Sequence, residues 1–240
     1  MANYTSDYYF TIDGTSSNTY GLFVETLDPV PHAQQRYSTG ITSKPYGIPD
    51  GVYNEIPYNI IFHKFYPTDL DDKEIRSFLS KGSILQLSIL PTVYFSILTM
   101  STQISQTADN KRIDYVLSLT LEPYRYGVNN PWINLTSGAT VKNNGTIAAF
   151  PVIELTDPDG DIKITVNNVD YEIKGLEASG TETPNKVYID RERFILYDQN
   201  NKLLIGKDNG KLPELAVGDN VITWDGTITA VRIKVNWREI

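Results

Sequence analysis

The best-spaced group of chemically capable side chains in this sequence is Asp157-Pro158-Asp159-Gly160-Asp161. Carboxylates at alternate positions can begin a calcium-binding loop, but such a loop also needs a bidentate Glu at its twelfth position. Counted from Asp157, that position is Asn168. The run therefore reads as a Pro-Asp-Gly β-turn leading into a strand at Ile162. The two histidines, His32 and His63, lack any H-x-x-H or H-E-x-x-H companion, so no metal site is expected. No G-x-S-x-G, P-loop or G-x-G-x-x-G occurs. The absence of cysteine excludes thiolate catalysis, disulfides and Cys-based zinc. Trp224-Asp225-Gly226 remains: a ring near a strand end can stack on a pyranose, which makes Trp224 a candidate sugar contact. The competing reading places Trp224 in core or turn packing. No catalytic residue and no cofactor-binding residue is nominated, and the chain reads as a non-enzyme.

Most of the elements that must carry these residues read as strands. The 16 Tyr, with many Thr, Val and Ile, favour β structure. Tyr8–Ile12 runs into an Asp13-Gly14 turn, and Tyr20–Val24 forms a second short strand. A single helix is expected. Thr68 supplies its N-cap, acids fill its first turn, Ile75, Phe78 and Leu79 form its apolar stripe, and Gly82 is its stop. In the strand at Asp114–Tyr124, Tyr115, Leu117, Leu119 and Leu121 alternate with more polar positions, the pattern of a half-buried antiparallel strand. Later hairpins are expected at Ile162–Ile173, turning over Asn167-Asn168, and at Phe194–Ile205. The last strand should place Val231, Ile233, Val235 and Trp237 inside. Arg232, Lys234, Asn236 and Arg238 should then face out, balancing acids on neighbouring strands or on a partner. Short strands at regular spacing are the mark of a β-sandwich or jelly roll.

The segment Leu27–Tyr53 is dense in Pro and Gly and reads as an extended, exposed loop. It is either an ordinary surface connection or an arm that packs on a neighbouring subunit, with Pro45, Tyr46, Ile48 and Pro49 as the candidate interface residues. A seam follows at Glu122–Trp132: thirteen of the 16 Tyr lie at or before Tyr126, and all three Trp lie after it. Two domains are expected, residues 1–126 and 127–240. Each carries a formal net charge of −4, the first from 9 basic and 13 acidic residues and the second from 12 and 16. A chain without a basic cluster does not grip nucleic acid. No apolar h-region follows Met1, and the apolar stretch around Ile89–Met100 is interrupted and short, so neither a secretory signal nor membrane insertion is expected.

Several segments, in this order and spacing, carry a family resemblance. The first half contributes Phe10-Thr11-Ile12-Asp13-Gly14, then Tyr20–Val24, the helix Glu74–Leu79, Leu87–Tyr94, and the strand into Glu122-Pro123-Tyr124. The second contributes Val187-Tyr188-Ile189-Asp190, Leu212-Pro213-Glu214-Leu215 and Val217–Ile222. Together they resemble a distal tail protein of a long-tailed, non-contractile (siphovirus-type) bacteriophage or prophage, over essentially the whole length. The resemblance implies a mainly β, two-domain chain. The first domain would be a ring-forming β-sandwich or split-barrel-like unit with one α-helix. The second would be a galectin-like β-sandwich (jelly roll) on the outside. It further implies a homohexameric ring between the tail tube protein and a tail-tip (tail-associated) protein, with receptor-binding protein docked at the periphery. DNA would pass through the centre without specific binding, and the chain would be made in the host cytoplasm and end in the virion. The alternative function is a carbohydrate-binding module contacting host cell-wall saccharide.

Overall fold

A computed structural model describes residues 6–38, 48–107, 111–176 and 184–240. The chain divides into two compact units, Met1–Val128 with Ile240, and Asn129–Glu239.

The first unit opens with β1 (Phe10–Ile12) and β2 (Thr15–Ser16), joined by Asp13-Gly14 with φ of 48° and 81°. Two successive left-handed residues make the tight hairpin turn whose twist matches its strands. The Asp13 carboxylate accepts from the backbone N–H of Ser83 and Ile84, at 3.1 and 2.9 Å, and so ties this turn to a later segment. There follow β3 (Phe23–Val24), β4 (Gln35–Ser38), β5 (Ile48–Tyr53) and β6 (Ile56–Phe65). The helix α1 (Asp69–Phe78) precedes β7 (Ile84–Leu87), β8 (Val93–Gln106) and β9 (Arg112–Gly127). The main sheet is antiparallel, in the order β2-β1-β7-β8-β9-β6-β3. Strands β4 and β5 form a separate two-stranded sheet, so the segment expected to be loop contains a hairpin on either side of its Pro- and Gly-rich middle. Thr68 caps α1 in a reciprocal box with Asp71. Ile75, Phe78 and Leu79 pack into the core formed by β1, β6, β7 and β9, where Phe10 stacks on Phe78 at 6.0 Å. Gly82 is not the stop of this helix, because the C-cap is Leu79. A Cβ on Gly82 would come within 2.2 Å of the Ile12 side chain, so close approach is what demands glycine there.

The second unit is a β-sandwich. Its strands are β10 (Ile133–Leu135), β11 (Ala139–Asn143), β12 (Val152–Thr156), β13 (Asp159–Val166) and β14 (Val169–Leu176). Then come β15 (Lys186–Asp190), β16 (Ile195–Asp198), β17 (Asp208–Gly210), β18 (Gly218–Thr227) and β19 (Ala230–Lys234), and a last strand, β20 (Arg238–Glu239), that belongs to neither sheet of the sandwich. Two five-stranded sheets, β10-β19-β12-β15-β16 and β11-β18-β13-β14-β17, enclose one core. Ile153, Leu155, Ile189 and Ile233 of the first sheet meet Ile162, Ile164, Ile173 and Ile222 of the second. The β13–β14 hairpin turns over Asn167-Asn168, at φ of 48° and 66°. Two expectations hold only in part. The return after Asn201 is short: Leu203 bridges Tyr197 and the Leu204 N–H donates to the Leu196 carbonyl at 2.9 Å, but Ile205 is 86% exposed. After Lys234 the alternation breaks at Asn236, whose φ is 52°. Arg238 is consequently buried, with its Nε donating to the Ala148 carbonyl at 3.0 Å, while Trp237 is only half-buried.

Candidate functional site

The first unit presents an unpaired strand edge. Strand β7 spans only four residues and pairs with β8 at Ser96 and Phe95. Strand β8 runs on for ten residues more, paired to β9 on its other side. From Leu98 to Ser105 it has no second neighbouring strand among the described residues. This stretch contains neither charge nor proline, two of the devices by which sheet edges are protected from other chains. Its hydrogen-bond direction follows from the ladder's end, where the Thr107 N–H donates to the Arg112 carbonyl at 3.1 Å. Counting back in alternation, Thr99, Ser101, Gln103 and Ser105 bond to β9, while Met100, Thr102 and Ile104 turn N–H and C=O to the open edge.

The face of this region turned away from the core is mostly polar, interrupted by Ile61 and Val116, and carries little charge. Thr99 donates to Thr120 across the ladder at 2.8 Å, and Ser101, Gln103, Ser118 and Asn59 continue the strip. Charge gathers at one end. There His63 Nδ1 lies 2.7 Å from Asp114, which Arg112 also holds at 2.7 Å, and His63 Nε2 lies 3.5 Å from Glu25.

The second unit has a different surface on the sheet β10-β19-β12-β15-β16. Asn134, Arg232, Glu154, Tyr188 and Tyr197 stand opposite one another on its five strands, all facing away from the core. Glu154 is only 1% exposed. Arg232 donates to its two oxygens through Nε and Nη2, both at 2.7 Å, and Lys186 Nζ lies at 3.1 Å. Burial by itself would raise this carboxyl, but hydrogen bonds from Arg232, Lys186 and Tyr188 outweigh it and hold the group below the usual range. Tyr188 stacks on Tyr197 at 5.1 Å. Trp132 lies over the Arg232 guanidinium at 4.7 Å and the Lys234 ammonium at 5.2 Å.

Of the residues nominated from sequence, Trp224 sits in β18, opposite Ile164 and with the inward parity of Ile222, half-buried against the core. Pro45 and Tyr46 lie outside the described residues, and Ile48 and Pro49 lie in β5 opposite Ser38 and Tyr37. The arm residues belong to the first unit and Trp224 to the second. His63 is drawn into the Asp114–Glu25 group. Asp159 and Asp161 enter β13, where Asp161 accepts from the Gly175 N–H at 2.8 Å. Sequence reasoning missed the open edge of β8, whose one sequence signal is a strand-length stretch without charge or proline. It also missed Glu154, legible only as an acid alternating with Ile153 and Leu155. The expected outward basic row does find its acid, since Arg232 meets Glu154.

The fold is similar to those of two solved phage proteins. The structure of the SPP1 Dit protein, described as a hub of the adsorption apparatus of phages infecting Gram-positive bacteria, matches with a TM-score of 0.66 and 13% identity. That match covers 97% of this chain and 99% of the other. A chain of the phage P2 baseplate, in its activated conformation with Ca, matches with a TM-score of 0.53 and 10% identity over 97% of both. No protein-family model matches the sequence, and no curated protein matches it.

Proposed function

We propose that this chain is a non-enzymatic hub at the distal end of a phage tail, six copies closing into a ring between the tail tube and the tip proteins. The observation that carries the proposal is the match to a tail hub over both units and nearly the whole length of each chain. The open edge of β8 supplies a means of closure. An edge that pairs with a different strand of the next copy makes a head-to-tail contact, and repetition of such a contact by a fixed rotation closes a ring. The β4–β5 hairpin suits the other half of the contact. Two-stranded hairpins are marginal alone in water, and among the described residues this one pairs with no third strand. That supports the arm reading for the segment holding Pro45, Tyr46, Ile48 and Pro49. The mostly hydroxyl- and amide-lined face of β8, β9 and β6 suits a channel wall past which DNA slides, since Arg112 at its end is held by Asp114 and the strip of Thr99, Ser101, Gln103, Ser118 and Asn59 carries no cation to hold a phosphate.

Solution mass by light scattering, with negative-stain images of the same peak, tests the proposal. Six subunits in an annulus are expected. A compact monomer at high concentration would refute closure by this chain alone. Removal of residues 39–51 is expected to leave a folded monomer, and persistence of the ring would remove the arm from the interface.

A further inference from the structure

We propose that the solvent face of the sheet β10-β19-β12-β15-β16 binds an anionic saccharide, with Trp132 as its stacking platform and Lys234 and Arg232 as its charge-reading groups. The face is electrically unlike its chain. Lys186, Arg232 and Lys234 surround one carboxylate, Glu154, and in the adjoining row Asp190 is matched by Arg193 at 3.7 Å. A local surplus of positive charge thus stands on a protein of formal net charge −8. Among the described residues Lys234 makes no ion pair, and its ammonium rests on the Trp132 ring.

The donors are held before any ligand arrives. Two of the five N–H donors of Arg232 are spent on Glu154, so the guanidinium is fixed in plane and the remaining donors face other partners. A buried ion pair is weak evidence for stability. A fixed cation beside an aromatic ring does, however, lower the ordering cost of binding. The five strands span about 19 Å at ordinary strand spacing, room for a short oligosaccharide crossing from Trp132 toward the Tyr188–Tyr197 pair.

The same residue types also serve protein interfaces, but interface centres are depleted of charge, and this face is centred on charges. None of the exposed large apolar residues of the unit projects beside Glu154 on it: Val152 and Ile195 are half-buried. Nucleic acid is disfavoured because gripping its backbone takes a stripe of cations, while the second half of the chain holds 16 acidic against 12 basic residues. A short sugar bearing carboxylates, a uronic acid oligomer, fits an aromatic platform beside a few fixed donors.

This inference is independent of ring closure, since the hub reading is tested by solution mass and this one by titration. The full-length chain would be titrated calorimetrically with trigalacturonate, with a glycerol phosphate oligomer, with neutral maltotriose and with a thymidine oligonucleotide of matched charge. Saturable binding of trigalacturonate is expected, weakened at least tenfold by Lys234→Glu and by Trp132→Ala, and clearly stronger than for maltotriose. Binding of the glycerol phosphate oligomer alone would overturn the saccharide assignment. Lys234→Glu changes a half-buried surface side chain and leaves the Arg232–Glu154 fork in place, so its melting curve should match the parent. No binding of trigalacturonate, equal affinity for maltotriose or the oligonucleotide, or indifference to both substitutions would likewise overturn the proposal.

Discussion

Thr102→Pro puts the open edge of β8 to the test. Thr102 turns its N–H and C=O to the edge and spends neither on β9, so proline there removes a donor from the free side and leaves the internal ladder intact. Its hydroxyl is buried without a partner, so losing it strips no hydrogen bond from the fold. An incoming strand that used Met100, Thr102 and Ile104 would make up to about six hydrogen bonds, each worth roughly 1 kcal/mol net. Proline deletes one and its ring holds the approaching backbone off the neighbouring pair. The contact should weaken by about 2–3 kcal/mol, or roughly 30- to 160-fold. The assay is light scattering at matched concentrations, with far-ultraviolet circular dichroism as a check on folding. A ring that shifts to monomer while the melting curve holds is the expected outcome, and Ser101→Ala, which leaves the edge backbone untouched, should keep the ring. A Thr102→Pro chain that assembles at the parent's concentration would refute the assignment of β8 as the closing edge.

Three further outcomes follow from the local chemistry. The Glu154 carboxyl is held below its ordinary value of 4.5, so its contribution is present above that pH and is lost as pH falls through the lower folded value. Glu154→Gln should destabilise the chain by about 1–2 kcal/mol at neutral pH, with the gap to the parent closing in acid melts below that value. Burial pushes Tyr58 and Tyr115 up to about 12, so their protonated forms favour the fold and that stability is lost as pH rises from about 10 towards 12. Ultraviolet difference titration should show these two, with Tyr171, which burial and Asp208 raise further still, ionising last and together with unfolding; early, reversible ionisation of all tyrosines would contradict their burial. Thr68→Ala removes the N-cap of α1 and should cost about 1 kcal/mol, read as a lower denaturant midpoint at unchanged slope.

What the sequence determined by itself was local. Thr68 and Asp71 announce a capping box, Asp13-Gly14 and Asn167-Asn168 announce hairpin turns, and Tyr115 to Leu121 alternate because one face of β9 is buried. Such signals span a few neighbours, and each residue's chemistry suffices to read them. Arg238 shows the limit of that reading: one left-handed residue at Asn236 inverted the expected parity and sent a cation inward. Gly82 shows another, since its meaning lies in Ile12, seventy positions away. The edge of β8 is open only because β7 is short and lies beside one end of it, a fact about sheet order that no stretch of β8 contains. Likewise Glu154, Arg232 and Lys186 are far apart in sequence and meet because β12 lies between β15 and β19. Pairing of distant strands places side chains side by side, and that pairing is set by the whole core at once rather than by any local pattern.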